Sequence, residues 1–222
     1  MGKEDMKTDA QLKKDVQDEL GWDPAVNATN IGVIVKDGIV TLTGHLESFA
    51  EKFAAERAAE RVSGVQALAM EVEVLLRNRD RRNDVDIASA ARNALTWNTV
   101  VPDSRLHIKV ENGWITLTGE VDWDYQRRAA ERALRDLLGV VGVKNLIAVK
   151  ARVSIPDVQK KITEALERQA ETEAKQVQVL VNGSRVTLRG RVHSWPERQA
   201  AQIAAWSAPG VTNVVNEIAL TP

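Results

Sequence analysis

The chain has 222 residues, 44% of them hydrophobic and 27% charged, with 30 basic and 31 acidic side chains and no cysteine. No apolar run approaches the roughly 20 residues that a bilayer-spanning helix needs, and the absence of cysteine excludes disulfides, thiolate nucleophiles, zinc–thiolate sites and a lipidated N-terminal cysteine. Residues 1–8 are charged and lack the apolar segment of a secretory signal, which predicts a soluble cytoplasmic protein as written, or a periplasmic or envelope-associated one if an export signal has been removed.

In chain order, Leu12, Val16 and Leu20 recur at i, i+4 and i+8 and predict a first helix, with Asp9 as its N-cap. The alternating Ile31, Val33 and Val35 predict a strand, and Asp37-Gly38 supplies the positive φ angles of a tight hairpin. Val40 to Gly44 forms the returning strand, with Val40 and Leu42 on one face and Ile39, Thr41 and Thr43 on the other. Next comes a helix lined by Ala54 and Ala58 and continuing to Val62. Gly64 ends it, and a last strand carries Val72 and Val74.

Residues 76–83, with Arg77, Arg79, Arg81 and Arg82, read as a flexible linker. The order then repeats. Ile87, Ala91 and Leu95 predict a helix capped by Asp84, and Leu106, Ile108 and Val110 a strand before the Asn112-Gly113 turn. Trp114 to Gly119 returns, and Ala129, Ala133 and Leu137 mark the second helix, with Ile147 and Val149 in the final strand. A third round follows a short, stiff connection. It runs through Val158, Ile162 and Leu166, with Ser154 or Asp157 as cap and Pro156 in the first turn, then Val177, Val179 and Val181 and a turn assigned to Asn182-Gly183. Val186 to Gly190, then Ala200, Ala204 and Ala208, then Ile218 and Leu220 complete it.

Superposing the chain on itself aligns Val40-Thr41-Leu42-Thr43-Gly44 with Ile115-Thr116-Leu117-Thr118-Gly119 and Val186-Thr187-Leu188-Arg189-Gly190. Repeats of this length exceed those of solenoids, so each is a domain with its own small core. The predicted class is α+β: three tandem αββαβ domains, each a three-stranded mixed sheet with two helices on one face. Their bounds are 8–75, 84–152 and 153–222, with 76–83 as the linker. Gly44, Gly119 and Gly190 mark where the second strand leaves the sheet and permit a bulge or a close backbone approach. Divided at 75/76 and 152/153, the chain carries 8 basic and 14 acidic residues, then 14 and 10, then 8 and 7. An acidic first third therefore adjoins a basic middle third, as expected for attraction between domains or chains, or for a middle that prefers anionic partners.

The αββαβ order, the hairpin leading to Val-Thr-Leu-Thr-Gly, the alanine-rich helix, Gly-Val and a strand with Asn145 or Asn216 together resemble the BON domain family (bacterial OsmY and nodulation). Three copies cover nearly the whole chain. Met70 stands where the other copies have asparagine, so the first copy departs from the pattern. The resemblance implies phospholipid association, osmotic or envelope-stress roles, transport-associated functions and, in some members, potassium binding.

Catalysis finds little support. His45, His107 and His193 occupy different places in their repeats and cannot form one recurring site, and no hydrolase, metalloprotease or nucleotide-binding motif stands in a confirming context. Carboxylates such as Glu56 and Glu60 lie at helical spacing beside basic residues and read as solvated faces. No cofactor is implied. A near-zero net charge and the lack of a helix-turn-helix or stacking-sheet motif argue against nucleic acid.

The binding candidates are surfaces. Arg127, Arg128 and Arg135 lie opposite the alanine stripe of the second helix and are candidates to meet lipid phosphates, although Glu131 is within one turn of all three. Trp114 points to the open sheet face, with Leu146 as its expected neighbour. Trp22 and Trp97 read as core plugs past the first helices, and Trp123 and Trp195 as staples at second-helix starts. In the third domain Trp195, Gln199, Gln202, Ile203 and Trp206 form an uncharged face where the second has Asp124, Arg128, Glu131, Arg132 and Arg135. That face is expected to be covered, by the second domain of the same chain, another subunit or a membrane. The leading functional expectation is a non-enzymatic binding protein of osmotic or envelope-stress type, associating with phospholipid or membrane surfaces. The alternatives are a self-associating scaffold or transport-associated homo-oligomer, and a potassium-binding stress protein.

Overall fold

The computed structural model describes residues 7–150, 158–168 and 177–221. The first domain runs α1 (Asp9–Trp22), β1 (Ile31–Lys36), β2 (Ile39–Leu46), α2 (Phe49–Arg61) and β3 (Ala67–Val74). The second runs α3 (Asp84–Thr96), β4 (Leu106–Glu111), β5 (Trp114–Val121), α4 (Asp124–Arg135), β6 (Gly142–Asn145) and β7 (Ala148–Val149). The third runs α5 (Val158–Arg168), β8 (Val177–Asn182), β9 (Arg185–Val192), α6 (Trp195–Ser207) and β10 (Asn213–Leu220). In each, the hairpin is antiparallel, and the second strand pairs in parallel with the last and so lies at the centre of the sheet. In the second domain the last strand is broken into β6 and β7, both on β5.

The alternation in the central strands sets the buried face. Val40, Leu42, Ile115, Leu117, Val186 and Leu188 are wholly buried, beneath first helices whose Leu12/Val16/Leu20, Ile87/Ala91/Leu95 and Ile162/Leu166 stripes face them. On the second helices the buried stripe runs one residue later than the expected alanine pairs, through Ala55/Ala59, Ala130/Leu134 and Ala201/Ala205. Ala58 and Ala204 are buried beside it, while Ala54, Ala129, Ala133 and Ala200 lie at its edge. These small side chains let the helix rest close on the sheet.

Two caps differ from expectation. Thr8 and Asn83 are the N-caps of α1 and α3, accepting from the amides of Gln11 and Asp86. Asp9 and Asp84 are the first helical residues instead, and their carboxylates accept from both turn amides of the neighbouring hairpin, Asp37/Gly38 and Asn112/Gly113, at 2.8–3.2 Å. Each carboxylate thereby ties the helix N-terminus to the hairpin tip, where its charge also complements the helix dipole. The third turn is Gly183-Ser184, one residue later than Asn182-Gly183, because Asn182 pairs with Arg185. Gly183 takes positive φ there, consistent with glycine in the first position of the other hairpin turn type. The caps expected at Ser154 or Asp157, Pro156 and the connection between the second and third domains lie outside the described residues.

Gly44, Gly119 and Gly190 have φ of +112°, +118° and +137°. A Cβ at Gly44 or Gly119 would also collide with the carbonyl oxygen of Asn30 or Arg105, just before the facing edge strand. Backbone conformation and close approach therefore both demand glycine.

The linker carries a short helical turn, Asn78–Asp80, and side-chain contacts of its own. Its guanidiniums bond within it, Arg81 to the Leu76 carbonyl and Arg82 to those of Arg79 and Arg81, and Arg77 pairs with Glu47 of the first domain. The apolar cores also divide unequally. The buried residues of the second and third domains form one continuous cluster, whereas those of the first form a separate one.

Candidate functional site

The second helices meet one another. Their outward positions are equivalent but differ in chemistry: Phe49, Phe53, Glu56, Arg57 and Glu60 on α2; Asp124, Arg128, Glu131, Arg132 and Arg135 on α4; Trp195, Gln199, Gln202, Ile203 and Trp206 on α6. From α6, the Trp195 indole N–H donates to the Val65 carbonyl of the first domain at 3.0 Å, and its ring packs against that domain's core. Arg57 donates to the Gln199 side chain. Trp206 is 8% exposed and lies beneath Arg127 of the second domain, whose guanidinium carbon is 4.5 Å from the ring centroid. The uncharged face thus contacts both preceding domains.

Of the three candidate lipid-facing arginines, Arg127 and Arg135 are engaged here, and Arg128 is paired with Asp124 on its own helix. Asp124 is 2% exposed and pairs with both Arg127 and Arg128, so its carboxylate holds Arg127 against the Trp206 face. Arg135 sits over the Phe53 ring of the first domain with its guanidinium carbon 3.2 Å from the centroid, and its ion-pair partner is Glu131 at 3.8 Å. Burial lowers the Arg135 pKa below the usual arginine value. Burial likewise raises Glu56 and Glu60 above the ordinary carboxylate range, with Glu56 adding to the effect on Glu60. Arginine recurs in this role because its flat, weakly hydrated cation stacks on aromatic rings while pairing in plane with carboxylates.

A second polar device joins each last strand to its second helix. The Asn145 amide donates to the Arg127 carbonyl and to Glu131, and its oxygen accepts from the Ile147 amide. Asn216 repeats this with the Arg198 carbonyl, Gln202 and the Ile218 amide. In the first domain Met70 cannot make these bonds, and Lys52 donates to the Val72 carbonyl, as its equivalent Arg198 does to the Ile218 carbonyl in the third.

The tryptophan placements require three corrections. Trp22 and Trp97 are not core plugs: they are 83% and 86% exposed. Each follows the last buried residue of its helix, Leu20 or Leu95, by two positions, which is about 200° around the helix and so opposite the buried stripe. Periodicity alone contained that signal. Trp123 is no staple, since it is the N-cap residue of α4 and equivalent to Ser48 and Ser194, while Trp195, the equivalent of Phe49, enters the helix junction. Trp114 is 53% and Leu146 52% exposed, both on the open face, but they are not neighbours. Trp114 pairs with Gly142, which leaves room for its ring, and the register puts Leu146 four positions farther along, about 13 Å at strand spacing. His45, His107 and His193 are exposed, and no group of three or more metal-ligating side chains exists among the described residues.

The BON domain profile matches residues 8–75, 83–151 and 155–222. The chain belongs to the BON domain family. Within this BON protein Asn145 and Asn216, the residues that marked the resemblance, are the strand-to-helix bridges, and Met70 is the copy in which the bridge is rebuilt. Osmotically-inducible protein Y of Escherichia coli (strain K12) is 28% identical over 133 residues, covering 56% of this chain and 64% of its own length. The chain thus matches somewhat less than two thirds of that relative. Two structures of CdsD, a structural protein of the type III secretion system of Chlamydia trachomatis, share 15% identity at a TM-score of 0.27. One covers 100% of both chains, and the other 94% of this chain and 91% of its own. No described helix is long and apolar enough to cross a membrane.

Proposed function

We propose that this BON protein acts in osmotic or envelope stress without catalysis, by associating with phospholipid surfaces through the ends of its first helices. The carrying observation is the pair Trp22 and Trp97, at equivalent positions of two domains and almost fully exposed. An indole costs little to place at a lipid headgroup region, where its apolar ring and N–H are both accommodated, whereas in bare water its apolar surface gains nothing. The osmotic part of the proposal draws on the similarity to the osmotically inducible relative. With Arg127 and Arg135 engaged at the helix junction and Arg128 paired with Asp124, the tryptophans are the better-supported contact. The second domain, basic where the first is acidic, is the preferred end for anionic lipid.

The test is co-sedimentation of the full chain with vesicles of anionic and of zwitterionic phospholipid, comparing wild type with the double substitution Trp22→Ser/Trp97→Ser. Because both side chains are exposed, stability should change by less than about 0.5 kcal/mol while lipid binding falls. Unchanged vesicle binding in the double variant, or none in wild type, would reject the proposal. A concentration-dependent mass without lipid would favour the self-associating scaffold.

A further inference from the structure

In the second domain an open sheet edge borders a groove. Among the described strands β4 pairs with β5 alone. The two-residue Asn112-Gly113 turn makes Glu111 and Trp114 a hydrogen-bonded pair, so by alternation Lys109 and His107 also turn their backbone groups to β5, and Ile108 and Val110 turn theirs outward. Among the described residues no hydrogen bond outside the sheet engages the backbone of either. Between this edge and α3 lie two cavities of about 460 and 390 Å³. One reaches Leu95 and Ile108, the other Val85 and Val110, and Ala88 and Arg92 line both, so the two form one groove along the strand. Its acidic side chains are engaged: Asp84 accepts from the Asn112 and Gly113 amides, and Asp103 from the Thr96 hydroxyl. Arg92, exposed at the middle, has no hydrogen bond or ion pair among the described residues.

We propose that this groove binds an extended segment of a partner protein, which adds to β4 as a further strand and sets a carboxylate against Arg92 between two small apolar side chains. The outward amides and carbonyls of Ile108 and Val110 supply the main-chain bonds that such an addition needs, and the side chains that alternate into the groove supply its specificity. Positions four apart on a strand share a face and lie about 13 Å from one another. Apolar groups two residues before and after the acid therefore reach the two ends of the groove, while the guanidinium makes a charge-assisted bond to the acid between them. β1 and β8 are edge strands as well. On their helices, however, Lys13 or Gln159 stands at the position of Ala88, and Gln17 or Thr163 at that of Arg92. The small residue that opens the groove and the cation that chooses the ligand occur together in the second domain alone. The inference is independent of lipid association, because it uses neither Trp22 nor Trp97.

The probe is a capped, labelled peptide, Ser-Val-Thr-Glu-Thr-Val-Ser, whose valines and glutamate share one face, titrated into the full chain without lipid. In the free chain, hydrogen exchange should be fast at the Ile108 and Val110 amides and slow at His107 and Lys109, and saturating peptide should slow the first pair. By fluorescence anisotropy, exchanging the peptide's glutamate for lysine, or Arg92→Glu in the protein, should each weaken binding by about tenfold or more. The two changes together should restore it. Ala88→Lys, which installs the first domain's residue, should block binding. Circular dichroism should be unchanged in both protein variants, since neither position is buried. Saturating peptide that leaves Ile108 and Val110 exchanging at the free rate overturns the proposal, as does equal affinity for the glutamate and lysine peptides. Protection of both amides in the free chain that is lost on dilution would give the edge to a second copy and overturn it as well.

Discussion

The first domain and the other two are the same fold held in two ways. In the second and third domains an asparagine on the last strand, Asn145 or Asn216, reaches back to the second helix and accepts from the Ile147 or Ile218 amide. In the first domain Met70 packs against the core, and only the helix-side brace remains, from Lys52 to the Val72 carbonyl; the third domain has that brace as well, through Arg198 to the Ile218 carbonyl. One architecture therefore tolerates different polar solutions, provided that strand and helix are tied together and buried groups are satisfied. The same contrast extends to packing: the buried core of the first domain is separate and only touched by Trp195, whereas the third shares one with the second.

The largest effect should come from the motif glycines. Gly44→Val and Gly119→Val each add a left-handed β-branched residue and a collision with a facing carbonyl, costing about 3 kcal/mol in the affected domain. Their reach should differ. Gly44→Val is expected to disorder the first domain alone, whereas Gly119→Val should loosen the second and third together through their common core, as read by segment-resolved hydrogen exchange. If Gly119→Val leaves exchange in the third domain at wild-type rates, the shared core does not couple them.

Asn145→Ala or Asn216→Ala should cost about 1–3 kcal/mol, since each strands partly buried hydrogen-bonding groups. Met70→Leu, at the same place in the first domain, should cost less than about 1 kcal/mol, because volume is conserved and no bond is lost. Denaturant melts of the three variants decide this. Equal losses at Met70 and Asn145 would mean that packing, not the bridge, matters at this position.

The smallest expected effect is on pH. Glu56 and Glu60 have folded pKa values raised mainly by burial, so the folded protein holds their protons more tightly than the unfolded chain. Their contribution to stability is therefore greatest below the unfolded carboxylate pKa and is lost as pH rises through the raised folded values. Asp23, lowered by its bond to Arg61, acts in the opposite sense, favouring the fold at neutral pH and losing its contribution as acid protonates it. The melting temperature of Glu56→Gln/Glu60→Gln should thus fall less than that of wild type as pH rises from about 4 to 7. Identical slopes would show that the two glutamates do not titrate in that window.

The first helix and central strand of each domain were legible residue by residue. The i, i+4, i+8 stripes named all the buried first-helix residues that the structure describes, and the alternation in Val40–Gly44 and its copies named the buried sheet face, because both depend only on the periods of helix and strand. The exposure of Trp22 and Trp97 followed from the same geometry and was obscured by treating tryptophan as core material on composition. The alanine stripe was read one residue early, since a run of adjacent small residues gives a weak phase.

The sequence by itself determined the three αββαβ units, two of their three hairpin turns, their motif glycines, and the contrast between a charged and an uncharged second-helix face, because local periodicity and backbone sterics act within a few residues. Only the tertiary structure decided that Arg127 and Arg135 turn onto Trp206 and Phe53, and that Trp195 enters the first domain while the other two share a core. Those outcomes depend on how three folded bodies dock. Docking brings together residues as many as 142 positions apart, such as Arg57 and Gln199, through desolvation and charge pairing for which neighbouring residues carry no periodic signal.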